Sequence, residues 1–305
     1  MYNIDMSLHH ELYESYDKEH CWQYDIRQKN ESSDYLESGL TKTTIDKMRT
    51  GDMVFEYVDK EDKDKCEEII KFIKKHEWLG KMPNRPTHRF TARYNGILAG
   101  VIVMTTPNAF SKLLGDGTKD IEKLISRGAC VSWSPKNLGS WIVMKSIKWM
   151  ITNTNFRVFT AYSDPEAKEL GSIYQACSFI YLGKNSGANK QYLDPTNIKI
   201  GWVSDRHFRH KGMYKKYAIS IGLTAPIWNS YMKKYSPNWD IIPGDITKKI
   251  KEELIRYRNT CKVRTAKPKH KYAFIKGHNK GQTNMLLKLF NDNTKRYDYP
   301  KIRGE

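Results

Sequence analysis

Residues 156–183 decide the fold of this chain. They run Phe156-Arg157-Val158-Phe159-Thr160-Ala161-Tyr162-Ser163-Asp164-Pro165-Glu166-Ala167-Lys168-Glu169-Leu170-Gly171-Ser172-Ile173-Tyr174-Gln175-Ala176-Cys177-Ser178-Phe179-Ile180-Tyr181-Leu182-Gly183. The order they predict is strand, helix, strand. The β-branched and aromatic run 156–162 suits a pleated strand, which Ser163-Asp164-Pro165 ends. Pro165 suits a first helical turn, Asp164 can cap it, and Glu166 and Glu169 sit where the positive end of the helix dipole favours acids. Tyr174 then lies near the far end of that helix, Phe179–Leu182 resume a strand, and Gly183 stops it.

Upstream, Trp141, Met144, Ile147, Lys148 and Met150 mark a helical run entered through the turn Ser134-Pro135-Lys136-Asn137-Leu138-Gly139-Ser140. Residues 128–133, Gly-Ala-Cys-Val-Ser-Trp, read as the strand before that turn, and residues 119–126 as a helix leading into it. The clearest hairpin joins Arg89–Tyr94 to Ile97–Met104, because Asn95-Gly96 favours the tight primed turn. Ile69, Ile70, Phe72 and Ile73 recur at helical spacing within 61–76, and Pro83 and Pro86 mark a loop. Residues 1 to about 65 carry no clear period and read as an irregular lead-in with short helices. The organisation expected is therefore a polar lead-in over 1–85 that includes the helix 61–76, an α/β (α+β) core with a mixed central sheet flanked by helices over 86–190, and a small, basic, mainly helical region over 191–305.

Charge divides the chain at the same place. Residues 184–305 hold 27 Lys+Arg against 9 Asp+Glu, whereas residues 1–183 hold 25 against 25, so the whole net charge of +18 belongs to the later part. A charge of that size in one segment is an electrostatic footprint for a polyanion, and double-stranded DNA is the partner expected; plain solubility is the alternative. The candidates for phosphate contact are Arg206, Arg209, Lys211, Lys215 and Lys216, on two predicted short helices over 204–211 and 213–222, with Lys267 and Lys269 in a basic loop or arm over 262–271. Tyr214, Tyr217, Trp228, Tyr231 and Trp239 either stack on bases or build a small core, and core is the expectation for the Trp residues. His207 and His210 stand at i, i+3 without a third ligand, so no metal site is expected.

The amino-terminal Met-Tyr-Asn-Ile-Asp-Met-Ser-Leu-His-His lacks a basic stretch followed by an apolar run, and nowhere do eighteen apolar residues follow one another. Cys21, Cys66, Cys130, Cys177 and Cys261 are scattered with no C-x-x-C pair, which suits reduced thiols. No membrane is expected among the partners, and the compartment expected is the cytoplasm, the host's if a phage encodes the chain.

The order of hairpin, strand, Gly-bearing turn, helix, strand, Tyr-bearing helix and strand over roughly 88–183 resembles the core of the GNAT acyltransferases. In that family a turn of pattern Arg/Gln-x-x-Gly-x-Gly/Ala offers backbone N–H groups to the coenzyme A pyrophosphate at a helix amino terminus. Lys136-Asn137-Leu138-Gly139-Ser140-Trp141 is similar to it, with Trp141 at the position of the last small residue. Ile173-Tyr174-Gln175-Ala176-Cys177-Ser178-Phe179 resembles the family's Leu-Tyr-x-x-x-Gly-Phe, whose Tyr often stands beside the thioester sulfur as general acid. Within that superfamily the runs Tyr162-Ser163-Asp164-Pro165, Gly171-Ser172-Ile173-Tyr174-Gln175-Ala176 and Tyr181-Leu182-Gly183 resemble the Mom-type phage DNA-modification proteins, with Leu170 where a His is expected. Such proteins are associated with adding a carbamoylmethyl-type group to adenine, which shields phage DNA from restriction.

The resemblance implies a transferase that uses acetyl-CoA or a related coenzyme A thioester. It marks Ser163, Asp164 and Tyr174 as reaction-centre residues and Trp133, Lys136, Asn137, Gly139 and Ser140 as holding the cofactor. The chemistry agrees, since acyl transfer to an amine needs a base, an oxyanion donor and an acid for the leaving thiolate. Each residue also has a plainer use: Asp164 as helix cap, Tyr174 as core, and residues 137–140 as an ordinary capped turn. Two further functions stay open at this point, a GNAT N-acetyltransferase acting on a small amine or protein, and a non-enzymatic DNA-binding protein on a degenerate fold.

Overall fold

The computed structural model describes residues 20–115, 118–184, 189–198, 201–234 and 236–303. The amino-terminal decapeptide on which the absence of a leader was read lies outside them. The chain divides into two units, one covering 187–267 and the other combining 17–186 with 268–305.

The larger unit is built on a seven-stranded mixed sheet. Its strands are β1 (Val54–Val58), β2 (Pro86–Tyr94), β3 (Ile97–Thr105), β4 (Glu122–Cys130), β5 (Val158–Ser163), β6 (Ile180–Lys184) and β10 (His270–Ile275), in the spatial order β1-β2-β3-β4-β5-β10-β6. All neighbours are antiparallel except β4 and β5, which run parallel. A parallel pair needs a crossover, and the helix Leu138–Asn153 supplies it. The β2–β3 turn has Asn95 and Gly96 at φ 47° and 83°, both left-handed, as the primed turn requires. Central β3 is buried at nearly every position, so both its faces are covered. The helices Lys63–His76 and Leu138–Asn153 pack on the sheet, and Ile69, Phe72, Ile73, Ile142, Ile147 and Met150 join one continuous core. The mixed sheet flanked by helices is the architecture the sequence predicts.

Three expectations need correction. Residues 122–130 are strand, not the end of a helix: Ile121, Leu124 and Ile125 fit either period, and pairing with β3 and β5 decides. Their side-chain anchor is buried Glu122, whose carboxylate accepts from the Ser111 hydroxyl at 2.7 Å and the Thr160 hydroxyl at 3.0 Å. The lead-in contains an ordered helix, Trp22–Ser38, closed by Gly39 at φ 62°, and the edge strand β1. Finally, 191–305 is not one region. Strand β10 inserts between β5 and β6, the helix Lys280–Asn293 buries Leu286 and Phe290 against Val158, Ala273 and Ile275, and residues 268–303 thus belong to the larger unit.

The smaller unit has a three-stranded antiparallel sheet, β8-β7-β9 (Trp202–Ser204, Asn189–Leu193, Lys262–Ala266), and the helices Lys211–Ser220, Ala225–Ser230 and Gly244–Asn259. Trp228, Tyr217 and Phe208 are fully buried in its own core, with Tyr214, Tyr231 and Trp239 packed against it. The aromatic residues of this part therefore build a core, as expected for the Trp residues. Residues 262–271, read as a loop or arm, are strand β9, a short link and the start of β10.

Candidate active site

Strand β5 ends at Ser163, and the residues after it define the candidate reaction centre. Asp164 Oδ1 accepts the Glu166 N–H at 3.0 Å, which makes it a cap, and its Oδ2 pairs with Lys269 Nζ at 2.8 Å. No long helix follows. Pro165–Ala167 form a single 3-10 turn, Lys168 and Gly171 take left-handed φ values of 56° and 66°, and a separate short helix spans Ser172–Ala176. Asp164 and Tyr174 are therefore not the two ends of one helix. The Tyr272 ring lies so close to Gly171 that a Cβ there would stand 2.5 Å from Cε2, and the Tyr272 hydroxyl donates to the Leu170 carbonyl. A side chain pressing from β10 thus forces the break.

Tyr174 packs its ring against Phe179 and Tyr272, with centroids 5.3 and 5.5 Å away. Burial, helped by the Glu169 and Glu77 charges, raises its phenol well above the ordinary range, so it stays protonated as an acid must. Packing and a proton-donating role are thus compatible. Glu169 accepts the Asp164 N–H at 2.9 Å on one oxygen and the Trp78 indole N–H at 2.9 Å on the other. Burial pushes its carboxyl up to about 7, against the lowering effect of the hydrogen bonds it accepts from the Asp164 amide and the Trp78 indole. Burial pushes Glu77 to about 7 as well, opposed by Arg127 and reinforced by Glu169. Beside Tyr174, then, two carboxyls titrate near neutrality. Local pattern assigns Glu169 only a helix-dipole role and Glu77 none, because their surroundings come from the tertiary fold.

Strand β10 adds one group that no local pattern announces. His270 is fully buried, its Nδ1 2.7 Å from the Tyr181 hydroxyl, and its Nε2 makes no hydrogen bond. It pairs directly across the ladder with Ser163, whose buried hydroxyl also makes no well-formed hydrogen bond.

The proposed cofactor turn enters the helix Leu138–Asn153. Asn137 stands at its amino end with φ 66° and no side-chain cap, which leaves first-turn N–H groups for an outside acceptor. The Ser140 hydroxyl donates to the Asn137 carbonyl at 3.0 Å. Gly139 has a packing reason of its own, since a Cβ would stand 2.9 Å from Ile173 Cδ1. Trp141 turns its ring to Phe55, 6.3 Å between centroids, with Lys145 Nζ 5.3 Å away. An open cleft of about 580 Å³ runs beside the turn, walled by Trp133, Lys136 and Asn137 and, opposite in sequence, by Tyr35, Arg49 and Thr50. The structure thus gathers three of the five predicted cofactor residues on one wall, while Gly139 and Ser140 continue into the helix. Arg49 was missed because it sits in a stretch without periodicity.

Of the cations assigned to DNA, Lys269 belongs to the larger unit and holds Asp164. Arg209 pairs with Asp205, and Lys216 reaches the Tyr257 hydroxyl at 3.0 Å. Arg206, Lys211, Lys215 and Lys267 are exposed on the smaller unit. The first two of the predicted helices resolve into a 3-10 turn, Asp205–Arg209, and the helix Lys211–Ser220, whose amino end is capped by His210 Nδ1 accepting from Gly212 N–H at 3.1 Å. His210 therefore has a structural use. Among the described residues no three His, Cys, Asp or Glu side chains cluster as metal ligands, and no helix is long and apolar enough to cross a membrane.

A mixed sheet with one parallel pair, a helix entered by an uncapped turn beside a cleft, and a half-buried Tyr beyond the next strand define the class of α/β fold. The Mom protein family is matched over residues 57–222, more than half of the chain, and the chain belongs to that family. No curated protein matches it. Similar solved structures include an acetyltransferase of the GNAT family from Streptococcus pneumoniae, at 12% identity over 46% of this chain and 89% of that one, with a TM-score of 0.31. An N-acetyltransferase from Staphylococcus aureus is similar at 13% identity over 44% and 86%, TM-score 0.31. Spermidine N-acetyltransferase from Vibrio cholerae, in complex with CoA and spermine, is similar at 10% identity over 44% and 85%, TM-score 0.32.

Proposed function

We propose that this chain is a phage-type DNA-modifying acyltransferase that uses a coenzyme A thioester to alter a nucleobase amine, adenine by the family resemblance, and so protects DNA from restriction. The observation that carries the reading is the uncapped amino end of the helix Leu138–Asn153, opening beside a cleft that also holds Lys136 and Arg49. Free N–H groups and two cations suit a pyrophosphate, and a volume near 580 Å³ suits a cofactor of drug-like size or larger. Bound there, the thioester would supply an activated acyl carbon. Tyr174, half-buried and protonated, would give its proton to the leaving sulfur, and Asp164, held by Lys269, would orient the acceptor. The smaller unit, with 17 Lys+Arg against 6 Asp+Glu over 187–267, supplies phosphate contacts.

Thermal melting during titration with coenzyme A and with acetyl-CoA tests the cofactor. A ligand that binds the folded chain stabilises it by about 2.7 kcal/mol at one hundred times its Kd. The expected result is a rise in Tm that is weakened in Lys136→Gln and Arg49→Gln; no rise with either compound contradicts the reading.

A further inference from the structure

Two carboxylates after the end of β5 already have their oxygens occupied. Asp164 spends one oxygen on the Glu166 amide and the other on Lys269; Glu169 spends its two on the Asp164 amide and the Trp78 indole. Tyr174 keeps its proton. A base for an attacking amine needs a lone pair that is not committed. Two such atoms are Glu77 Oε2 and His270 Nε2, and only the second stands across the ladder from the end of β5, with its Nδ1 fixed by the Tyr181 hydroxyl. Leaving such a nitrogen unpaired costs stability in any protein, so an orphan of this kind wants a reason. Opposite it in the antiparallel ladder stands Ser163, whose hydroxyl is also buried and makes no well-formed hydrogen bond, the Tyr272 hydroxyl being its polar neighbour. Residues paired in this way share one face of the sheet with Cβ atoms about 5 Å apart.

We propose that Ser163, His270 and Tyr181 form a proton relay that serves as the base of the acyl transfer, an inference that rests on the function proposed above. As the acceptor nitrogen bonds to the acyl carbon, its proton passes to Ser163 Oγ while the serine's own proton passes to His270 Nε2. The carbon–sulfur bond breaks with its electron pair on sulfur, which takes the Tyr174 proton, and the imidazolium then returns a proton through Ser163 to restore the site by way of solvent and the tyrosinate. His270 acts through Ser163 and is a positioning residue; Tyr181 fixes its ring. Burial lowers the His270 pKa and keeps the ring neutral, as a proton acceptor must be; Lys184 on β6 works in the same direction and Asp164 after β5 opposes them. Tyr181 is the titratable ring against it, 5.6 Å between centroids, with Tyr272 5.1 Å from Tyr181 beyond.

Both His270 and the partner strand that carries it lie beyond residues 57–222, so the region matched by the family holds Ser163 without the imidazole opposite it.

The test is single-turnover release of coenzyme A from acetyl-CoA by the full chain in the presence of adenine-containing duplex DNA, followed from pH 5 to 9. His270→Gln should lower the rate on the order of 10²- to 10⁴-fold and flatten the acid limb of the profile, with coenzyme A affinity unchanged. Should that variant fold poorly, Tyr181→Phe, which removes one hydroxyl, should move the acid limb while keeping the melting temperature near wild type. Wild-type rates with an unmoved profile in a folded His270→Gln or in Tyr181→Phe overturn the relay and leave the transferase intact. A wild-type chain that releases nothing overturns the transferase reading, and the relay with it.

Discussion

Lys269 Nζ lies 2.8 Å from Asp164 Oδ2, so a residue from the basic carboxy-terminal part anchors the carboxylate that ends the central strand of the candidate site. Asp164 does two jobs, cap and ion-pair partner, and substitutions separate them. Asp164→Ala should destabilise the chain by about 1 kcal/mol through the lost cap, whereas Asp164→Asn, which still accepts the Glu166 amide, should cost less. The Lys269 side chain is 46% exposed, which places the ion pair among those worth under about 1 kcal/mol. Denaturant unfolding of the two variants beside Lys269→Gln measures all three, and an Asn variant as unstable as the Ala one contradicts the cap.

Gly171 should tolerate no side chain. Its φ of 66° disfavours L residues, and a Cβ would meet the Tyr272 ring at 2.5 Å. Gly171→Ala is expected to cost on the order of 2–4 kcal/mol, combining left-handed strain with overpacking. Tyr272→Phe, which keeps the ring, should not relieve it, while Tyr272→Ala should recover part of the loss in the double variant. Additive losses would show that the ring is not the obstacle.

How far the sequence reveals this arrangement depends on where its contacts lie in the chain. The hairpin at Asn95-Gly96, the helix through Ile69 and Ile73, and the turn at Lys136–Ser140 were legible because their signals are local. The long helix after Pro165 was not, because Pro165, Asp164 and Glu166 all favour a helix start while Tyr272 stops it from a strand more than ninety residues away in sequence. Nor was β10: His270 and Tyr272 sit in a Lys-rich stretch whose composition points to solvent, and only pairing with β5 and β6 shows them to be buried. Asp164, Ser163 and Tyr174 are singled out by motif, whereas the surroundings of Glu77, Glu169, Arg49 and His270 are set only by the fold.

Stability should carry the mark of the raised carboxyls. Glu77 and Glu169 titrate from 4.5 in the ordinary state to about 7 when folded, so between those values the native chain binds more protons than the unfolded one. Their contribution to stability therefore falls as pH rises from about 4.5 to 7 and is constant above it. Relative to wild type, Glu169→Gln should gain stability across that window, by an amount on the order of 1–3 kcal/mol. Unfolding free energies at pH 5 and pH 8 give the difference; an equal offset at both values contradicts the assignment.

If the smaller unit holds DNA through phosphates, affinity should fall steeply with salt, by a slope of about −0.9 on log–log axes for each phosphate neutralised. Arg206, Lys211 and Lys215 are exposed there, and replacing all three by Gln should flatten the slope and weaken binding without loss of fold. Lys269→Gln, on the other unit and bound to Asp164, should leave the slope near wild type. An unchanged slope in the triple variant shows that these cations do not touch the backbone.

A chain that alters a base in DNA by acyl transfer at the Ser163–Asp164 and Tyr174 site leaves its product in cellular DNA. DNA from cells expressing the full chain, digested to nucleosides and weighed by mass spectrometry, tests it most directly. The account predicts a heavier adenine nucleoside with wild type, reduced about 10²- to 10⁴-fold with Tyr174→Phe in a chain that melts normally. Unmodified nucleosides from cells that hold abundant folded wild-type protein would contradict it.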